Sequence, residues 1–171
     1  MNDKRVVLVE ATIEQHGQAI LVLMNDAILN SSALYDIEPR QPAFLQQWFE
    51  QKRQHGWPII VAMRGDDVAG FGSYGQFRPF AANRFTVEHS LYVCKQHQGI
   101  GVGKHLLSEL ITRATHAGMR TMVAAIDSDN QASISLHLSQ GFVYKGELQQ
   151  VAYKFDRWLT THWYQKLLNQ D

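Results

Sequence analysis

Val87-Glu88-His89-Ser90-Leu91-Tyr92-Val93 reads as a strand, and a few residues later Gln98-Gly99-Ile100-Gly101-Val102-Gly103-Lys104 runs straight into an amphipathic helix. Three alternate glycines at a strand-to-helix junction let backbone N–H groups converge on an anion with no Cβ in the way. The helix dipole adds partial positive charge at the same spot. The stretch predicts a diphosphate cradle, and hence a phosphorylated cofactor.

The loop departs from two familiar cradles. A Walker A loop needs four residues between its first glycine and a Gly-Lys pair followed by Ser or Thr, whereas Gly99 and Gly103 enclose three and His105 follows Lys104. A Rossmann fingerprint needs G-x-G-x-x-G in a first βαβ unit, and here the third glycine comes one residue early, far into the chain. The remaining pattern, Gln-x-x-Gly-x-Gly from Gln98 to Gly103, is similar to the coenzyme A loop of the GNAT superfamily of N-acetyltransferases; the bland alternative is a glycine-rich helix start with only a turn to make.

Length and composition narrow the classes. A chain of 171 residues, 45% hydrophobic, is expected to form one domain over residues 1–171 with a sizeable core. Sixteen acidic residues balance sixteen Lys and Arg, so the basic footprint of a dedicated nucleic-acid binder is missing. The polar start, Met1-Asn2-Asp3-Lys4-Arg5, carries no signal-peptide core, and no apolar run reaches membrane-spanning length. A single cysteine, Cys94, excludes an internal disulfide and fits a reducing compartment. These features predict a cytoplasmic protein with no membrane partner.

The periodicities give a layered α/β domain. Residues 5–10 form a strand; Thr12 and Gln15 form a capping box ahead of a helix with Ile20, Leu21, Leu23, Met24 and Ile28. A second helix follows Pro42 and stops at Gly56, and residues 58–64 and 68–74 make a hairpin around Gly65-Asp66-Asp67. Residues 76–84 form a loop rich in aromatic and guanidinium groups. The helix after the glycine loop buries Val102, Leu106, Leu107, Leu110, Ile111 and Ala114, and Gly118 ends it. A strand at 121–126, a helix capped by residues 127–130, and strands at 142–151 and 159–167 complete the order β-α-α-β-β-β-α-β-α-β-β, a mixed sheet flanked by helices.

Within the GNAT superfamily, residues 86–158 resemble the phosphinothricin and methionine sulfoximine N-acetyltransferases. The resemblance is carried by Thr86 to Val93, the loop Gln98 to Gly103, Met122-Val123-Ala124 with Ile126, Asn130-Gln131-Ala132-Ser133, Leu136-His137, Gly141-Phe142, and Lys154-Phe155 with Arg157-Trp158. Weaker echoes lie in Phe77-Arg78-Pro79-Phe80 and Trp48-Phe49. One departure is Asp156, where that branch usually has Gly.

The resemblance implies a GNAT fold, acetyl-CoA as co-substrate, a homodimer with substrate pockets near the subunit interface, and direct transfer in a ternary complex. The implied substrate is the α-amino group of a small amino-acid-like compound of the phosphinothricin, methionine sulfoximine or methionine sulfone type. Acetyl transfer to an amine needs a neutral nucleophile, a polarised carbonyl and a protonated leaving thiolate. Glu88, a carboxylate inside an otherwise uncharged strand, is the candidate general base, directly or through water; its bland reading is a structural ion pair. His137, where many GNAT enzymes carry a tyrosine, is the candidate donor to the thiolate, or merely a packed helix residue.

A backbone N–H of Leu91, Tyr92 or Val93 would polarise the acetyl carbonyl. Gly99, Ile100, Gly101, Val102, Gly103 and Lys104 would hold the diphosphate, and Asn130 the pantetheine. Substrate contacts are expected from Arg78, Pro79, Phe80, Glu88, His89 and Ser90, with the Arg78 guanidinium suited to a carboxylate or phosphinate. His89 should point to the opposite strand face from Glu88. Arg84, Lys154 and Arg157 are weaker anion-binding candidates. Trp163 and Tyr164 would offer apolar surface for a dimer. Cys94 has no adjacent base to make it a nucleophile, and the eight histidines show no metal-ligand spacing, so no metal is expected. Two rival readings are a GNAT enzyme for another amine, such as a peptide N-terminus or a polyamine, and a non-catalytic acetyl-CoA sensor.

Overall fold

Strand and helix periods turn into elements in the expected order. In a computed structural model, which describes residues 5–169, these are β1 (Val6–Glu10), α1 (Ile13–Asn30), α2 (Pro42–His55), β2 (Ile59–Arg64), β3 (Asp67–Gln76), β4 (Thr86–Val93), α3 (Val102–His116), β5 (Thr121–Asp127), α4 (Gln131–Ser139), β6 (Val143–Lys154) and β7 (Arg157–Leu167). Residues 1–4, on which the expectation of no leader partly rests, lie outside the described residues. No described helix is long and apolar enough to cross a membrane.

The strands form one seven-stranded sheet in the order β1-β2-β3-β4-β5-β7-β6, antiparallel except where β4 meets β5. Side chains alternate across it and feed two cores. On one face Leu106, Leu107 and Leu110 of α3 are fully buried against Val87, Met122 and Ala124; on the other, Ile20 and Met24 of α1 and Leu45 of α2 cover Val61 and Phe71. Each such buried leucine contributes about 1.5–3 kcal/mol.

Helix ends follow local chemistry. Thr12 Oγ1 accepts the N–H of Gln15 as expected, but the return bond comes from elsewhere: the Thr12 N–H donates to His16 Nδ1 at 3.1 Å. A ring nitrogen one residue further along thus replaces the Gln15 side chain in the capping box.

The last hairpin differs from its sequence reading. β6 extends to Lys154 and β7 begins at Arg157, so only Phe155 and Asp156 form the turn, at φ 52° and 55°. Two central residues at positive φ are what a type I′ turn demands, and glycine is favoured there. That explains why Asp156 stands out: it occupies a left-handed position with a side chain.

β4 and β5 pair at only three positions, Thr86 with Thr121, Val87 with Met122 and Glu88 with Val123. Beyond Glu88 the two strands part, while β4 stays paired with β3 as far as Val93 and β5 with β7 as far as Asp127. This split positions the site.

Candidate active site

Past the split, half of the β4 backbone has no strand beside it. The N–H of Phe77 bonds the carbonyl of Thr86, and the N–H of Cys94 bonds that of Ala69, so even-numbered residues of β4 present their backbone groups to β3. Leu91 and Val93 therefore turn their N–H and C=O groups toward the open side. Tyr92, one of the three expected to serve the cofactor through its backbone, instead faces Phe71 on β3.

The glycine loop lies against the same edge. Gly99 and Gly101 hold φ values of 76° and 89°, left-handed conformations in which a Cβ is strained. Gly101 is the N-cap of α3 and provides no side-chain cap, so the first helical N–H groups, from Val102 to Lys104, stay available to an anion. Gly103 plays another part: a Cβ there would stand 3.2 Å from Leu136, so its absence lets α3 approach α4. The residues present thus fit a diphosphate at the helix start and an extended chain along β4.

A cavity of about 430 Å³ opens where the strands part. Glu88, Ser90 and Tyr92 of β4, Ala125 and Asp127 of β5, Thr161 and Trp163 of β7, and Ser32 to Tyr35 of the α1–α2 loop are among its walls. Glu88 is half-buried, makes no hydrogen bond or ion pair among the described residues, and has its pKa raised by burial. A free carboxylate with raised proton affinity is chemically a base in waiting. The lining includes two carboxylates, Glu88 and Asp127, and no Lys or Arg.

His89 faces away from Glu88 and meets His137, Nε2 to Nε2 at 3.0 Å. His137 Nδ1 lies 2.7 Å from the Ser133 carbonyl oxygen, which can only accept, so the His137 proton sits on Nδ1. Its Nε2 then accepts from His89 Nε2–H, and His89 Nδ1 is left as a buried lone pair with no donor. Burial lowers both histidines, His89 to about 3, so the pair is neutral near pH 7. Asn130 spends its carbonyl oxygen capping α4, at 3.1 Å from the Ser133 N–H, and its amide hydrogens remain for the cavity it lines.

Other expected residues lie elsewhere. Arg78, Pro79 and Phe80 are exposed and outside the cavity lining, although neighbouring Phe77 stands edge-on to the wall residue Trp163 at 5.9 Å. The three weaker anion-binding candidates are occupied: Arg84 donates to the Ala81 carbonyl, Arg157 to the Asp129 carboxylate, and Lys154 to two loop carbonyls. Tyr164 is only 4% exposed, so it offers no docking surface. Among the described residues no group of three His, Cys, Asp or Glu could hold a metal ion. The sequence reading missed Asp127, Tyr35 and Thr161. Asp127 stands at the end of β5, where its sequence reads as part of the turn that caps the next helix rather than as a cavity wall.

The comparisons with known proteins agree with this geometry. Residues 24–142 match the acetyltransferase (GNAT) family. The chain is 45% identical over 154 residues to the L-methionine sulfoximine/L-methionine sulfone acetyltransferase of Pseudomonas aeruginosa, covering 87% of this chain and 90% of that one. It is 41% identical over 152 residues to the L-amino acid N-acyltransferase MnaT of Escherichia coli, covering 89% and 88%. A GNAT superfamily phosphinothricin acetyltransferase from Sinorhizobium meliloti, solved in complex with acetyl-CoA, superposes with a TM-score of 0.92 at 33% identity, over 96% of this chain and 89% of that one. The chain thus belongs to the acetyltransferase (GNAT) family and is an acetyl-CoA-dependent N-acetyltransferase.

Proposed function

We propose that this enzyme acetylates the α-amino group of a small amino-acid-like compound of the methionine sulfoximine, methionine sulfone or phosphinothricin type, by direct attack in a ternary complex. The carrying observation is the partner-free Glu88 carboxylate at the point where β4 leaves β5. In this reading the thioester lies along the open edge, and the Leu91 N–H polarises its carbonyl. The amine nitrogen forms the new C–N bond, Glu88 takes the ammonium proton, directly or through water, and the C–S bond breaks. Val93 and Asn130 hold the pantetheine, and Gly99 to Lys104 the diphosphate.

The leaving thiolate needs a proton, the role the sequence gives His137. As a neutral pair His137 and His89 have none to spare, because the Ser133 carbonyl holds one and His137 Nε2 holds the other. His137 therefore donates only after the pair has taken up a proton. Loss of an essential acid lowers rates by about 10²–10⁴; a His137→Phe variant that keeps wild-type kcat at neutral pH assigns this proton to water.

The charge of the cavity refines the substrate. Two carboxylates and no lining cation suit an α-ammonium group and a neutral side chain better than a second anion. In this reading Arg78, outside the lining but 5.7 Å from the ring centre of Phe77, which in turn meets the wall residue Trp163, receives the substrate carboxylate. The same wall favours, as a second reading, a cationic amine such as a polyamine. We further propose a cytoplasmic, single-domain homodimer whose contact is the β6–β7 hairpin. Leu148, Val151, Tyr153, Phe155 and Trp158 are all exposed there, and the first two also line the cavity.

Free-thiol release from acetyl-CoA tests the proposal, with methionine sulfone, methionine sulfoximine, phosphinothricin, ordinary amino acids, a polyamine and a short peptide as acceptors. Turnover is expected with the sulfone and sulfoximine, and less with phosphinothricin. Release with only the polyamine or peptide selects the other amine class. Coenzyme A binding without any release selects a sensor.

A further inference from the structure

The loop between α1 and α2 supplies a wall of the cavity through Ser32 to Tyr35, yet it contains neither helix nor strand. Two fasteners hold it, and both end on the β6–β7 hairpin. Lys154, 6% exposed, sends its ammonium to the carbonyl oxygens of Leu34 at 2.6 Å and Ser31 at 2.9 Å. Its Nζ also stands 5.0 Å above the Phe155 ring. The Tyr35 hydroxyl meets Thr161 Oγ1 at 2.8 Å, close enough to the buried Asp127 carboxylate for that charge to act on it.

Burying an ammonium is unfavourable unless its hydrogens are used, and charge-assisted hydrogen bonds are about twice as strong as neutral ones. Two carbonyls three residues apart can reach one cation only when the chain between them curls around it. Lys154 thereby dictates how Ser32 to Leu34 are presented, and Tyr35 is fixed beside them. Because Lys154 itself is not part of the cavity lining, it acts through the loop.

We propose that Lys154 is a positioning residue for amine selectivity: by gathering the Ser31 and Leu34 carbonyls it sets the wall against which the amine substrate lies. The proposal rests on the cavity being the amine site. Lys154→Met removes the donors at similar length, Lys154→Arg keeps charge and donors, and Lys154→Gln keeps a neutral donor without the charge. In Lys154→Met, KM for methionine sulfone should rise about tenfold while KM for acetyl-CoA stays within about twofold, the loss expected when bonds to a charged group are removed. Lys154→Arg should recover most of it. Backbone hydrogen exchange of the ligand-free protein should quicken across residues 31–36 in Lys154→Met. Equal rises in both KM values, or unchanged exchange at 31–36, would overturn the proposal. If Lys154→Met does not fold, Lys154→Gln must give the same one-sided KM shift, at smaller size, for the proposal to stand. A wild-type enzyme silent toward the sulfone would instead refute the assigned substrate, and exchange at 31–36 would still judge Lys154.

Discussion

The two sides of the site are built from different material. In the proposed reading the acetyl-CoA side is mostly backbone from one stretch, the open edge of β4 at Leu91 and Val93 and then the loop and helix start from Gly99 to Lys104, with the Asn130 amide as its one side chain. The proposed amine side, the cavity, is made of side chains and a loop drawn from β4, β5, β7 and the α1–α2 connection. Backbone donors are the same whatever residues carry them, so the first side is sensitive mainly where φ or close approach matters. The second can be retuned residue by residue without disturbing the first. Relatives at about 41–45% identity whose names specify different acceptors are in keeping with that division.

Substitutions can break this comparison. Glu88→Gln, on the amine side, should lower kcat/KM about 10²–10⁴-fold, the usual worth of a general base, while acetyl-CoA affinity measured by calorimetry stays unchanged. Loss of acetyl-CoA binding in the same variant would erase the boundary between the two sides. Gly101→Ala should do the opposite. A Cβ in the left-handed region costs about 1–2 kcal/mol, so KM for acetyl-CoA should rise about 5- to 30-fold with KM for the amine unmoved.

Stability sharpens the contrast further. Burial raises the folded pKa of Glu88 above its unfolded value, so the ionised group destabilises the fold. The penalty is absent below the ordinary glutamate pKa of about 4.3, grows as pH rises toward the folded value, and is complete above it. Glu88→Gln should therefore melt higher than wild type at pH 7, with the difference vanishing in acid. Equal melting temperatures at pH 7 would mean that the carboxylate is not strained by its surroundings. The smallest effect is expected in the β6–β7 turn, outside the cavity lining: Asp156→Gly relieves a positive φ and should stabilise by about 0.5–1 kcal/mol, a rise in Tm of about 1–4 °C, leaving both KM values alone.

Legibility in the sequence follows the same division. The glycine loop before α3 and β4 could be read because their parts are contiguous and because glycine spacing and strand alternation are local signals. The element order was equally readable from α3, whose Leu106, Leu107 and Leu110 keep a strict helical stripe. The β6–β7 turn was obscured because Asp156 stands where glycine would mark it, and because β6 is an exposed edge strand whose side chains scarcely alternate in burial. Tyr35, Asp127, Thr161 and Lys154 come together only by folding, across separations as long as 126 residues, and no local pattern announces their meeting. His89 and His137 were each identifiable, but their mutual bond was not, and it is that bond together with the Ser133 carbonyl on His137 which settles where their protons sit.

The central claim is that Glu88 accepts the proton of the attacking amine, and the pH dependence of kcat/KM in wild type and Glu88→Gln tests it most directly. In wild type the rate should climb with pH through an ionisation above the ordinary carboxylate value, then through that of the substrate amine. The residual activity of Glu88→Gln should keep the amine's limb and lack the lower one. A lower limb that survives in Glu88→Gln would assign the base to another group and contradict the account.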